Sequence, residues 1–291
     1  MPDERAIAFA CRGAWLYGIL SLPAATVTPR RGVVIVVGGP QYRAGSHRQF
    51  TLLARDLAAA GIPALRFDYR GMGDSEGDLQ DFENVEDDLR AAIDRFMVEV
   101  PGLSEVVLWG LCDGASAAAM YAPQDARVAG LVLLNPWVRT EEGAARATIK
   151  HYYKDRLFDA ALWKKIGSGQ FDVKNSVRSL WGNVGKAFGP KADASAGDGA
   201  NASAPDQAAT LPERMQGALA RFGGRVLVVL SGADLTAQEF AGLSNRNGNW
   251  QRLLASARFT HRQIDKADHT FSRRPWQDQV SGWTRDWLRS W

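Results

Sequence analysis

Apolar positions along the chain follow two rhythms, short strand-like runs and longer stretches spaced as on one face of a helix. Ala6–Ala10 and Ala14–Leu20, split by Cys11-Arg12-Gly13 and closed by Leu22-Pro23, predict a hairpin. Val33–Val37, ending in Gly38-Gly39-Pro40, is a β-branched run without polar alternation, as in a parallel strand buried on both faces. His47–Ala60, with Phe50, Leu53 and Leu57, predicts a helix that stops at Gly61. The pattern then gives a strand at Ile62–Phe67, a helix at Phe82–Val100 (Val85, Leu89, Ile93, Phe96) and a strand at Glu105–Trp109. A small-residue helix at Ala115–Tyr121 and a buried strand at Val128–Leu134 follow. This alternation predicts an α/β protein: a mostly parallel central sheet with helices on both faces and right-handed crossovers.

The rhythm breaks after Asn135-Pro136-Trp137. Glu141–Leu157 reads as an amphipathic helix rich in Arg, Lys, His and Tyr, and Ala160–Ile166 as a second short one. Gly189–Pro212 holds eight alanines in 24 residues and no aromatic side chain, too little apolar surface to offset its ordering entropy. Strand rhythm returns at Arg225–Leu230 and Phe259–Ile264, and Pro275–Arg289 is a last amphipathic helix with Trp276, Val280, Trp283 and Trp287. The expected organisation is a core of 1–135 and 223–291 and an inserted cap, 136–222, with a mobile loop at about 189–212.

Composition narrows the function classes. The 291 residues are 46% hydrophobic and 23% charged, which excludes a disordered or coiled-coil chain. The charge balance, 35 − 32 = +3, is too small for a nucleic-acid footprint. Two cysteines, Cys11 and Cys112, make no disulfide framework and point to a reducing compartment. No apolar run reaches about 18 residues, so no transmembrane segment is expected. Met1-Pro2-Asp3-Glu4-Arg5 lacks the apolar stretch of a signal peptide, so the expected location is cytoplasmic. No His/Cys/carboxylate cluster has ligand spacing, so neither a metal nor a cofactor is expected.

The candidate chemistry centres on Gly110-Leu111-Cys112-Asp113-Gly114, between a strand and a small-residue helix. That is the setting of the G-x-S-x-G nucleophile elbow, with sulfur for oxygen. Small residues two before and two after are needed because the turn is sharp, and a helix N-terminus favours a thiolate. Of four histidines, His269 lies between the last strand and last helix and is the candidate base. His261 falls inside a predicted strand, where a structural role is expected. Asp234 follows a strand end and is the candidate orienting acid, while Asp265 and Asp268 sit close enough to His269 to shape its loop instead. The order Cys112, Asp234, His269 is nucleophile–acid–base. An oxyanion hole would draw on the Asp113 N–H and, because Pro40 has no N–H, on Gln41 or Gly39, with Gln41 preferred. Gly38-Gly39 fits no phosphate-loop spacing.

These residues, with Asp68-Tyr69-Arg70-Gly71-Met72-Gly73-Asp74-Ser75, resemble the α/β-hydrolase superfamily. A closer resemblance is to the exosortase A system-associated hydrolases of type 1. It rests on Val37–Arg48, on Gly110–Gly114, and on Asn135–Glu141 with His151-Tyr152-Tyr153. It implies a bacterial protein associated with PEP-CTERM sorting and exopolysaccharide production, without a named substrate. Dienelactone hydrolases show that the superfamily can use a cysteine nucleophile. The expected function is acyl transfer from an ester, thioester or lactone, free or carrier-bound, to water or another acceptor. His47, Trp137, His151 and Tyr152 are candidate substrate contacts, with capping and packing as their plain structural roles. Arg139, Arg146, Lys150, His151, Lys154 and Arg156 form either a solvated stripe or a pocket for an anionic acyl carrier. Two rivals remain: a non-catalytic ligand-binding member of the fold, and a redox thiol protein, although no C-x-x-C is present.

Overall fold

The computed structural model describes residues 3–24, 28–39, 41–138 and 209–291. Eight strands form one sheet in the order β1-β2-β4-β3-β5-β6-β7-β8. β1 (Asp3–Cys11) and β2 (Ala14–Leu22) form the hairpin, antiparallel to each other, and β2 runs antiparallel to β4. β3 (Arg31–Val36), β4 (Ala64–Phe67), β5 (Glu105–Leu111), β6 (Val128–Leu134), β7 (Arg225–Ser231) and β8 (Phe259–Ile264) are mutually parallel. Val33–Val36 and Val106–Leu108 are wholly buried, as continuous apolar runs in a sheet covered on both faces must be.

Helices α1 (Gln49–Ala59) and α2 (Glu86–Glu99) match predicted positions with trimmed ends, while α3 (Asp113–Tyr121) and α7 (Arg274–Arg289) start two residues and one residue earlier than predicted. His47 and Arg48 adopt left-handed φ of 53° and 60°, so the α-helix starts two residues later than its pattern. The stretch Phe82–Val100 is interrupted at Val85, which separates a short 3-10 turn from α2. α3 is built from alanines because its residues 115–119 are all buried.

Two differences from the sequence reading concern helices. α5 (Leu235–Arg246) and α6 (Gly248–Leu254) fill a stretch for which no element is predicted. Their apolar positions are sparse, and side-chain caps start them: Asp234 accepts from Ala237 N–H, and Asn247 from Asn249 N–H. α4 (Leu211–Arg221) lies in the stretch assigned to the cap, and Leu211 and Pro212 open this helix although the predicted mobile loop ran to 212. The chain divides into two compact units, Met1–Val138 with Leu211–Trp291, and Arg139–Thr210. α4 belongs to the first because Met215, Ala218 and Leu219 are buried in the core that also holds Ala118 and Tyr121. The predicted helices at 141–157 and 160–166 lie outside the described residues. Among the described residues no helix is long and apolar enough to cross a membrane.

Placing α4 in the core predicts that Leu219→Ala, at a wholly buried site, lowers unfolding stability by about 2–5 kcal/mol. The check is a urea titration followed by tryptophan fluorescence. A midpoint unchanged from wild type would detach α4 from the core.

Candidate active site

Register builds the site. Leu111 pairs with Leu134, and Leu134 with Val229, so the residues that follow β5, β6 and β7 emerge side by side. Cys112 N–H donates to Leu134 O at 2.9 Å, and Asn135 N–H to Val229 O at 3.1 Å. The carboxyl ends of parallel strands form the edge where open α/β sheets bind ligands.

Cys112 turns the chain from β5 into α3 with φ 59° and ψ −125°, a conformation that costs a non-glycine residue of order 1–3 kcal/mol. Its neighbours must be glycine. A Cβ on Gly110 would sit 2.5 Å from the Gly114 carbonyl, and one on Gly114 2.5 Å from Val36 O. The thiol is half-buried.

The candidate acid and base come from adjacent strand ends. Ala233 N–H donates to Ala267 O at 3.1 Å, and the intervening approach requires Gly232, whose Cβ would lie 2.1 Å from Asp265 O. Asp234 Oδ2 lies 3.0 Å from His269 Nδ1 and also caps α5 through Ala237 N–H at 2.9 Å. Cys112 also interacts with the His269 side chain. With Nδ1 engaged by Asp234, Nε2 is the nitrogen left for sulfur. Pairing with Asp234, then the interaction with Cys112, outweighs partial burial and pushes the His269 pKa up to about 10. Cys112, His269 and Asp234 are thus brought together.

The other predicted residues separate. Asp268 carboxylate accepts from Ser272 N–H at 2.9 Å and from the Ser272 hydroxyl, shaping the base loop. Burial opposes its ionisation, but Ser272 prevails and holds its pKa below the ordinary range. Asp265 accepts from Gln263 Nε2 at 2.9 Å. His261 contacts Leu254 O at 2.8 Å and stacks on Phe259. Cys11 is buried, which raises its thiol pKa. His47 is exposed. Trp137 is half-buried, with its N–H on Cys112 O at 3.2 Å. His151, Tyr152 and the basic residues from Arg139 to Arg156 lie outside the described residues.

In the loop after β3, Gly39 gives its N–H to Asp113 Oδ2 at 2.8 Å, which removes it as an oxyanion donor in this arrangement. Burial raises the Asp113 pKa, against hydrogen bonds from the N–H groups of Gly39, Gly114 and Asp113 itself. The loop is anchored through Arg43. Wholly buried Asp68 accepts Arg43 N–H at 2.6 Å and pairs with its guanidinium. A cavity of about 550 Å³ between α1 and α7 is lined by Leu53, Trp109, Leu134 and Phe271, and none of the three candidate catalytic residues lines it. The sequence reading missed Asn135 and Ser231, buried beside the base loop; Asn135 stood in a quoted motif, but the partners of both are distant in sequence.

A family model for serine aminopeptidases, S33, matches residues 28–237. The chain belongs to this family. S33 proteins are α/β hydrolases, and the fold here is that of the α/β-hydrolase superfamily. The family is named for serine, whereas Cys112 holds the centre of the elbow here. Comparison with curated proteins returns no match. Among solved structures, an esterase of Pyrococcus furiosus is 12% identical with a TM-score of 0.65, covering 100% of this chain and 93% of that one. Est1E of Butyrivibrio proteoclasticus, bound to ferulic acid, is 14% identical (TM-score 0.61; 97% and 98% covered). A dienelactone hydrolase of Anabaena variabilis is 16% identical (TM-score 0.58; 99% and 97% covered). These likenesses establish the fold.

The raised His269 pKa carries a signed prediction. Its ordinary value is 6.5, so the stabilisation from pairing is complete below that pH and is lost as pH rises through about 10. Asn caps helices about as well as Asp, so Asp234→Asn removes the charge and keeps the cap. The Tm gap between wild type and Asp234→Asn is therefore largest near pH 6 and narrows by pH 10. A gap independent of pH would contradict the pairing.

Proposed function

We propose that this S33-family chain is an ester hydrolase that works through a covalent acyl-cysteine on Cys112. The observation that carries the reading is His269, paired with Asp234 and interacting with Cys112, which sits on a strained elbow. The esterase, ferulate-bound and dienelactone hydrolase names of the structural neighbours support it.

Cys112 Sγ attacks the ester carbonyl carbon while His269 holds the thiol proton. A C–S bond forms, and the carbonyl pair moves to oxygen. N–H groups of Asp113 and Gln41 meet that oxyanion, the first in competition with Asp113's own carboxyl. Collapse breaks the C–O bond, and the leaving alkoxide takes the proton from His269 Nε2. Water then attacks the acyl-cysteine, gives a proton to His269, and the thiolate departs with release of the acid. Asp234 keeps the imidazole in one tautomer and supports its charged form. A thiolate also leaves readily from the tetrahedral intermediate, which favours thioesters, lactones and activated esters over peptide bonds.

The finer reading is membership of the exosortase A system-associated type 1 hydrolases, with a carrier-bound acyl substrate. It rests on the motifs Val37–Arg48, Gly110–Gly114, and Asn135–Glu141 with His151-Tyr152-Tyr153. A non-catalytic binding role is the contrary outcome. The test is intact-protein mass spectrometry after brief exposure to acyl thioesters and aryl esters, for wild type, Cys112→Ala and His269→Ala. The expected result is a wild-type acyl adduct or turnover that both variants lack, with the best substrate giving the acyl class. No adduct and no turnover in a folded wild type would overturn the reading.

A further inference from the structure

We infer that the turn Asn135-Pro136-Trp137 and Ser231 form a brace that sets the position of His269 against Cys112, and that Asn135 and Ser231 are positioning residues for the base. This rests on the cysteine-hydrolase reading above.

Asn135 is wholly buried and Ser231 nearly so. Both N–H donors and the oxygen of the Asn135 amide are engaged. Its Oδ1 accepts from Ser231 N–H at 2.8 Å, and its Nδ2 donates to Ser231 Oγ at 2.8 Å and to His269 O at 2.9 Å. Ser231 Oγ in turn donates to Asp268 O at 2.8 Å. The two carbonyls so held belong to the two peptide planes that flank the His269 Cα. Holding both planes fixes φ and ψ at His269, and with them the direction of its Cα–Cβ bond. Only the side-chain torsions remain, and Asp234 and Cys112 engage the ring itself.

The same turn grips the nucleophile. Trp137 N–H donates to Cys112 O at 3.2 Å, and Ser116 Oγ donates to Trp137 O at 2.6 Å. A segment of three residues therefore bonds the backbone of the elbow at one end and the backbone of the base loop at the other. Asn135 adopts φ 43°, a conformation that Asn and Asp tolerate better than most residues. Neither side chain keeps a polar atom free for substrate, so the role acts through His269.

The test uses Asn135→Asp and Ser231→Ala in the full chain. Asp tolerates the same backbone and keeps the acceptor for Ser231 N–H, but sets an oxygen against His269 O. Ser231→Ala removes the hydroxyl with no added charge, and it decides the matter alone if Asn135→Asp fails to fold. Two quantities are read: the His269 titration midpoint by histidine side-chain NMR, and p-nitrophenyl butyrate hydrolysis. A misplacement of about 1 Å can cost about 100-fold in rate. The expected result is a His269 midpoint lowered by at least about one pH unit, and kcat down about 10- to 100-fold with KM within about twofold. A wild-type midpoint that Asn135→Asp and Ser231→Ala leave unmoved, whatever their Tm, would overturn the brace while leaving the cysteine-hydrolase reading intact. A wild-type His269 that titrates near 6.5 would instead remove the pairing, and the brace with it.

Discussion

The parallel hydrogen-bond ladder does not stop where β5 and β6 stop. It continues one residue further, from Cys112 N–H to Leu134 O and from Asn135 N–H to Val229 O. Residues just past the strand ends are therefore placed by the sheet itself, with these backbone donors already satisfied. An unsatisfied buried backbone group would cost about 1–3 kcal/mol, so the extended ladder makes a sharp turn at the edge affordable. The side chains of Cys112 and Asn135, and of Ser231 at the end of β7, are left to act on one another's loops.

Strain collects at that edge. Among the described residues six non-glycine ones have positive φ, and one of them, Arg12, lies in the β1–β2 hairpin. The other five are His47, Arg48, Cys112, Asn135 and Phe271, in the loops after β3, β5, β6 and β8. Such conformations persist where their surroundings over-determine them, and they cluster at functional sites. Here the surroundings are specific: glycines at 110, 114 and 232 allow backbone to meet backbone, and Asp68 and Ser272 fix the flanking loops.

The sheet was legible because β3, β5, β6 and β7 are apolar without alternation, a pattern that few other structures require. The elbow was legible because Gly110 and Gly114 bracket Cys112 at a spacing that only a tight strand-to-helix turn needs. Asp234 and His269 could be named from their places after strands, and the structure sets them 3.0 Å apart. α5 and α6 were not legible, since their starts depend on the caps Asp234 and Asn247 more than on an apolar stripe. α4 was assigned to the insertion because its neighbours in sequence are Ala/Gly-rich, although its own Met215 and Leu219 belong to the core. The Gly39–Asp113 bond and the Asn135–Ser231 pair join residues 74 and 96 apart, and no local pattern announces such a contact.

The central claim is that His269, held by Asp234, pairs with Cys112 and makes its thiol reactive. The most direct measurement is the rate of iodoacetamide alkylation at Cys112 at pH 6, followed by peptide mass spectrometry, in wild type and His269→Ala. Buried Cys11 serves as the internal reference. The account predicts rapid wild-type alkylation at Cys112, at least about tenfold slower in His269→Ala, with Cys11 unmodified in both. Equal rates at Cys112 in the two proteins would contradict it.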